Sequence, residues 1–264
     1  MNQNTKNLYA LSRIKGVGKT SLSKIRQAGY NTIYDLSTDC NFDELKSFIR
    51  GGPNQKIAID TILYNADNHY ELIEHELDSL FKKNIKVVSV EDQLYPKLYH
   101  LIKDKPLFIY AKGNLDLLNH ENGIGIIGTR NCSDFGANIA FKTAKYFAEK
   151  NYNIISGLAL GIDSAAHKGA LTASQGKTTA VLVNVDDVYP KENLNLAENI
   201  LSNDGLLIAE NPPGTFSAGH LFVKRDRLQS GLSLGVFPIE TGVKGGTMHT
   251  VKFSEEQNRL RFVP

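Results

Sequence analysis

From residue 85 onward, short apolar runs alternate with longer stretches whose apolar residues recur every three to four positions. Ile85 to Val90 is β-branched and strand-like, and Leu107 to Tyr110 is a second apolar stretch. Further strands are predicted at Gly125 to Ile127, Tyr152 to Ser156, Thr178 to Asn184, Leu206 to Ala209 and Leu234 to Ile239, with a last one at Arg261 to Val263. Between them the spacing predicts helices over Asp134 to Lys150, Asp163 to Ser174, Asn193 to Ser202 and Thr247 to Gln257. The strands are almost continuously apolar rather than alternating. That is the mark of strands buried on both sides, so an α/β fold with a mostly parallel sheet and helices on both faces is expected.

The first stretch of chain has a different texture. Asn7 to Leu11 begins a helix, Ile33, Tyr34, Leu36, Leu45, Phe48 and Ile49 fall at helical spacings, and Gly51-Gly52-Pro53 breaks the pattern. Helices are predicted over Lys56 to Asn65 and Glu71 to Lys83. The expected division is a small all-helical domain at 1–75 and an α/β domain at 76–264.

Composition narrows the picture only modestly. With 264 residues, 41% hydrophobic and 22% charged, the chain can build a core without disulfide or metal. Cys40 and Cys132 form no CxxC pair, which argues against a zinc site or a secreted disulfide scaffold. The opening MNQNTKNLYA has no apolar signal core, and no apolar run approaches the ~18 residues of a membrane span. A cytoplasmic protein is expected, with no membrane partner. The net charge is only +2, and it is spread evenly: nine basic against eight acidic residues up to position 75, and 21 against 20 beyond it. Any site for a polyanion must therefore come from local clustering and backbone geometry rather than from a global field.

Local clustering is visible. In IGIIGTRNCSDFG an apolar strand ends at Gly128, Thr129 and Arg130 fall in the loop, and Ser133 or Asp134 can cap the next helix. Such a turn can bring backbone N–H groups and a guanidinium fork to a phosphate. The alternative is a plain strand-to-helix turn with its arginine in a surface pair. The motif is not GxGxxG, so it does not call for a dinucleotide. Ser156-Gly157-Leu158-Ala159-Leu160-Gly161 is a second loop of this kind, with Asp163 as a plausible helix cap. His167 shares the helix face of Asp163, but no third ligand suggests a metal, and a satisfied, partly buried histidine is the simpler reading. Lys224, Arg225 and Arg227 cluster after the Pro212-Pro213-Gly214 loop, where they can project over strand ends or form a solvated face; Asp226 can orient one of the arginines. Lys244-Gly245-Gly246-Thr247 closes a third glycine-rich loop, with Thr247 as a possible cap. In open α/β sheets ligands bind beyond the carboxyl ends of the strands, so these loops are expected to share one anion pocket. Ile14-Lys15-Gly16-Val17-Gly18 fits a helix-hairpin-helix turn, which can receive a phosphate or serve as a ligand-free corner. There is no GxSxG elbow and no complete Walker lysine motif.

GIGIIGTR, IISGLALGIDSAAHKGAL, VYPKEN, LLIAENPPGT, FVKRDRLQSGLS and IETGVKGGT resemble, in order and spacing, the DNA-processing protein A (DprA/Smf) family. The likeness covers about Ile85 to the end, and the helical region resembles that family's SAM-like or helix-hairpin-helix domain. It implies an extended Rossmann-like fold, sequence-independent single-stranded DNA binding, homodimers, and protection of incoming DNA with loading of a RecA-type recombinase in natural transformation. It implies no catalytic residues and no cofactor. The family's phosphate-contacting arginine falls on Arg130, its basic loop on Lys224, Arg225 and Arg227, and its loop glycines on Gly128, Gly157, Gly161, Gly245 and Gly246. The family usually carries Pro and Asn where Val223 and Asp226 stand, and an aspartate there repels phosphate or neutralises a neighbouring arginine. With the sequence closing at Phe262-Val263-Pro264, the winged-helix extension of some relatives is not expected.

The expected mechanism is binding without chemistry: main-chain N–H groups and Arg130 hold successive phosphates, with Phe222 and Phe135 as candidates for base stacking. Two rivals share the fold class. One is a phosphoribohydrolase-like enzyme, for which Gly245-Gly246-Thr247 is followed by no acid until Glu255. The other is a sensor of a free nucleotide.

Overall fold

The computed structural model describes residues 2–242 and 245–263, which fall in two compact units, Met1–Asp92 and Gln93–Pro264. The first unit is six helices and a short strand: α1 Gln3–Arg13, α2 Lys19–Gln27, α3 Ile33–Thr38, α4 Phe42–Phe48, α5 Pro53–Tyr64, α6 Ala66–Lys82 and β1 Lys86–Ser89. Its helix starts are written in the sequence. Asn2 caps α1 through the Thr5 N–H, Thr32 and Asp35 form a reciprocal capping box on α3, Asn41 caps α4, and Pro53 opens α5 after Gly52. Tyr9, Leu11, Ile25, Ile33, Leu36, Leu45 and Ile62 fill its core. Tyr34, expected to pack with them, is exposed and stacks on Tyr70 instead. The Ile14–Gly18 segment does form the corner between α1 and α2. Gly16 is required there: its φ is +99°, and a Cβ would stand 2.7 Å from the Asn54 carbonyl oxygen.

The second unit has the predicted α/β architecture. In chain order it comprises α7 Lys97–His100, β2 Phe108–Gly113, β3 Gly123–Gly128, α8 Asp134–Glu149, β4 Asn153–Ser156, α9 Ile162–Leu171, β5 Lys177–Leu182, α10 Leu194–Ser202, β6 Leu206–Ala209, α11 Gly219–Leu232, β7 Gly235–Ile239, α12 Thr247–Glu256 and β8 Leu260–Arg261. The strands lie in the order β2-β6-β5-β4-β3-β7-β8, with β2 antiparallel and the remaining pairs parallel. Pro238 sits inside β7 without cost to the ladder on its far side, because β8 pairs only with Gly235 and Val236.

One face of the sheet is covered by α8 and α9. Ala140, Ala144 and Ala148 on α8 and Ala166 and Ala170 on α9 pack on Ile124, Ile126, Ile154 and Ile239. The small side chains let the helices approach closely: a Cβ at Gly169 would fall 2.2 Å from the Phe141 carbonyl oxygen. On the opposite pleat of β3, Gly123 leaves room for the end of α11, where a Cβ would stand 2.8 Å from the Leu232 oxygen.

Helix α11 was absent from the sequence-based expectation, which placed a basic loop there. It contains two glycines, a run of charges and no apolar stripe, and it buries Arg225, Arg227, Gln229 and Ser230 as well as Leu228 and Leu232. A helix that buries polar residues around its circumference leaves no 3.6-residue hydrophobic signal.

Among the described residues no helix is long and apolar enough to cross a membrane. The strand order reverses at β3, which has β4 on one side and β7 on the other. A crevice at the carboxyl end of β3 is the place where this topology forms a binding site.

Candidate nucleic-acid interface

A cleft of about 600 Å³ occupies that position. Gly128, Thr129, Arg130 and Asn131 line it from the loop after β3, Ala159 and Asp163 from the loop and helix after β4, and Thr241, Gly242, Gly245, Gly246 and Thr247 from the loop after β7. Helix α11 supplies Phe222, Val223, Arg225, Asp226 and Gln229, and α12 supplies His249 and Thr250. A narrower hollow beside it is bounded by Arg130, Gly157, Leu160, Tyr189, Phe222 and Arg225.

The three glycine-rich loops are therefore gathered at one rim, and their glycines have distinct reasons. A Cβ on Gly128 would collide with the Ile239 oxygen at 2.3 Å. Gly161 has φ +75° and lies against the Thr129 oxygen, so it locks the second loop to the first; Ile162 N donates to the same oxygen at 3.2 Å. Gly157 makes room for Arg225, whose Nη1 would lie 1.6 Å from an added Cβ. Ser156 does not reach the cleft: it is fully buried and donates to the Ile126 oxygen at 2.6 Å.

The three cations of the basic run part company on α11. Lys224 pairs with Glu210 at 3.2 Å. Arg227 is almost fully buried, donating to Glu210, to the Asp104 oxygen and to the Lys224 oxygen. Arg227 is spent on internal partners, Lys224 keeps its side chain about half exposed, and of the three only Arg225 lines the cleft. Arg225 is 7% exposed, and its Nε and Nη1 have no hydrogen-bond partner among the described residues. Its nearest carboxylate is Asp226, with Nε to Oδ1 at 3.6 Å, outside hydrogen-bond range. Arg130 is exposed and has no ion-pair partner among the described residues; its guanidinium lies 5.7 Å from the Phe222 ring centre. Phe135 is exposed away from the cleft. Lys244 lies outside the described residues.

Two helix ends differ from expectation. Ser133 does cap α8, accepting from Gly136 N, but the anion at that N-terminus is already present: Glu240 accepts from both the N–H and the hydroxyl of Ser133. That helix end therefore already holds a carboxylate. Asp163 is not the cap of α9, a place taken by Gly161; its carboxylate turns back to accept from Gly157 N at 3.1 Å and Ala159 N at 3.3 Å. Thr247 likewise is the first residue of α12 and caps nothing.

Burial pushes the Asp163 carboxyl up against the opposing pull of Arg225 and the loop N–H groups. Asp226 is raised to about 6: desolvation leads and Asp163 adds to it, while Arg225, His249 and Arg130 oppose. His167 is fully buried. Its Nδ1 contacts Thr178 Oγ1 at 2.7 Å, and that hydroxyl donates to the Ile154 oxygen, so Nδ1 carries the proton and Nε2 is left without a partner. Burial, with Arg225 nearby, lowers it to about 3, and the ring is neutral. No set of three or more His, Cys, Asp or Glu among the described residues is placed to hold a metal.

The sequence profile of the DNA recombination-mediator protein A family matches residues 86–263. The chain belongs to that family. It is 32% identical over 197 residues to DNA processing protein DprA of Bacillus subtilis, an alignment covering 74% of this chain and 66% of the relative. It is 35% identical over 263 residues to Protein Smf of Synechocystis, covering 95% of this chain and 62% of the relative. The chain thus spans about two thirds of the length of these relatives. The X-ray structure of DprA from Streptococcus pneumoniae superposes with a TM-score of 0.76 at 30% identity, over all of this chain and 87% of that one. A structure of the Helicobacter pylori protein, described for its single-stranded DNA binding mode, superposes with a TM-score of 0.61 at 27% identity, over 67% of this chain and 80% of that one.

Cleft residues that the sequence did not single out include Asn131, Tyr189, Gln229, Thr241, Gly242, His249 and Thr250; Asp163, expected as a cap, and Asp226, expected to orient an arginine, line it as well. Gln229, His249 and Thr250 come from α11 and α12, where no glycine-rich motif marked them.

Proposed function

We propose that this protein binds single-stranded DNA through its sugar-phosphate backbone, independently of sequence, in the cleft at the carboxyl end of β3, and does no chemistry on it. The observation that carries this reading is Arg225. A buried guanidinium with two unpartnered nitrogens is costly unless an acceptor arrives, and the exposed Arg130 at the mouth of the same cleft offers a second fork. Phosphate oxygens are the acceptors that suit both. Single-stranded DNA binding by the Helicobacter pylori relative supports the class of ligand. By family, the same reading extends to processing of incoming DNA in transformation, loading of a RecA-type recombinase, and a homodimer.

The test is a fluorescence-anisotropy titration of labelled dT oligonucleotide at two salt concentrations, with Arg130→Ala beside the unaltered chain. Binding that weakens with salt, with log K falling by ~0.7 per phosphate neutralised, and that is weakened by the substitution supports the proposal. Release of a nucleobase from a nucleoside monophosphate would replace it with a hydrolase. Tight mononucleotide binding with no oligonucleotide binding would replace it with a sensor.

A further inference from the structure

Two carboxylates line this cleft, and Asp163 is already occupied by the Gly157 and Ala159 N–H groups. Asp226 lines the cleft, and its carboxylate accepts no hydrogen bond from any described residue; Arg225 Nε, at 3.6 Å, is too far. An ionised carboxylate is an acceptor only, so whatever portion of a bound strand meets it must bring donors. Asp226 lies one helical turn from Phe222, at i and i+4 on the same face of α11. The Phe222 ring has the half-exposed Tyr189 ring 5.5 Å away, with Arg130 and Arg225 at 5.7 and 6.0 Å. Aromatic and guanidinium surfaces of this kind receive a base face. Phe222 and Asp226 stand about 6 Å apart along the helix axis, so a base stacked on the Phe222 ring can turn its edge toward Asp226.

We propose that Asp226 reads the edge of one nucleobase in the bound strand and that the base it selects is guanine. Guanine presents two adjacent donors, N1–H and N2–H, which match the two oxygens of one carboxylate in a fork-on-fork pair. Thymine offers a single N–H between two carbonyl oxygens that the carboxylate repels. Adenine and cytosine each offer one amino group beside a bare ring acceptor. A cleft of this volume accommodates a nucleotide. The inference rests on the strand-binding reading and adds a preference to it: the backbone is held without regard to sequence, and one position along it is read.

The experiment compares labelled (dT-dG)6, (dT-dI)6 and dT12 by anisotropy at one salt concentration. Inosine removes only the N2 amino group and so isolates the second donor. The expected result is that the (dT-dG)6 strand binds about tenfold more tightly than the other two, the discrimination of one good bidentate pair, and that Asp226→Asn brings the three to a common affinity. Equal binding of all three by the unaltered chain, or a guanine preference that survives Asp226→Asn, overturns the inference and leaves strand binding standing. If no oligonucleotide binds, strand binding itself fails. The inference is then decided by dGMP against dIMP: a preference for dGMP keeps Asp226 as the reader, and equal or absent binding removes it.

Discussion

Replacing Asp226 by Asn tests the electrostatics of the cleft without any ligand. Its carboxylate is one-sixth exposed, 16% by side-chain surface, and is raised from 3.8 to about 6 mainly by desolvation, which outweighs the attraction of Arg225. Between these two values the folded chain binds a proton that the unfolded chain releases. The contribution of this group therefore favours folding below about pH 4 and is lost as pH rises through about 6. A shift of about two units at 1.36 kcal/mol each makes the ionised form cost about 3 kcal/mol at pH 7.5. Asparagine has nearly the same shape and no charge. Asp226→Asn is thus expected to stabilise the second unit by up to about 3 kcal/mol at pH 7.5, and to change little at pH 4. Urea titrations at both pH values, followed by amide exchange in peptides from β3 and β4, report on that unit alone. An increment that is the same at both pH values, or a loss of stability at pH 7.5, would show that the carboxylate is well satisfied and that the reasoning is wrong.

Other outcomes follow from the same geometry. His167 moves from 6.5 to about 3 on folding, so its contribution to stability falls as pH drops below 6.5, by about 1.4 kcal/mol per unit; in His167→Asn, which keeps a donor to Thr178, the acid limb of a stability-versus-pH curve should be shallower. Gly157→Ala sets a Cβ where Arg225 Nη1 now lies; about 1–3 kcal/mol of overpacking should appear in a thermal melt, and dT affinity should fall with it. Glu240→Gln removes the charge at the start of α8 and should cost about 0.5–1 kcal/mol, read as a lower Tm; an unchanged Tm would mean the carboxylate does not stabilise that helix end. For Arg130→Ala, the slope of log K against log salt should drop by ~0.7, the value for one phosphate on a single strand.

Much of this protein was legible before any coordinates. Continuous apolar runs at Ile124 to Ile127, Ile154 to Ile155 and Leu206 to Ala209 can only be satisfied by burial on both faces. Three strands ending in glycine-bearing loops then have to open at one edge of a parallel sheet. The corner at Gly16 is local chemistry of a few adjacent residues. What the sequence could not convey was which way α11 turns its charges. Lys224, Arg225, Asp226 and Arg227 are neighbours in the chain, yet a helix fans them around its axis in steps of about 100°. Glu210 and Asp104, brought up by the fold, take two of them, and Gly157 opens a space for the third. Local pattern sets the sheet and its rim because burial and capping act over short distances. Which side chains remain unsatisfied at that rim depends on partners far away in the chain, and only packing brings them together.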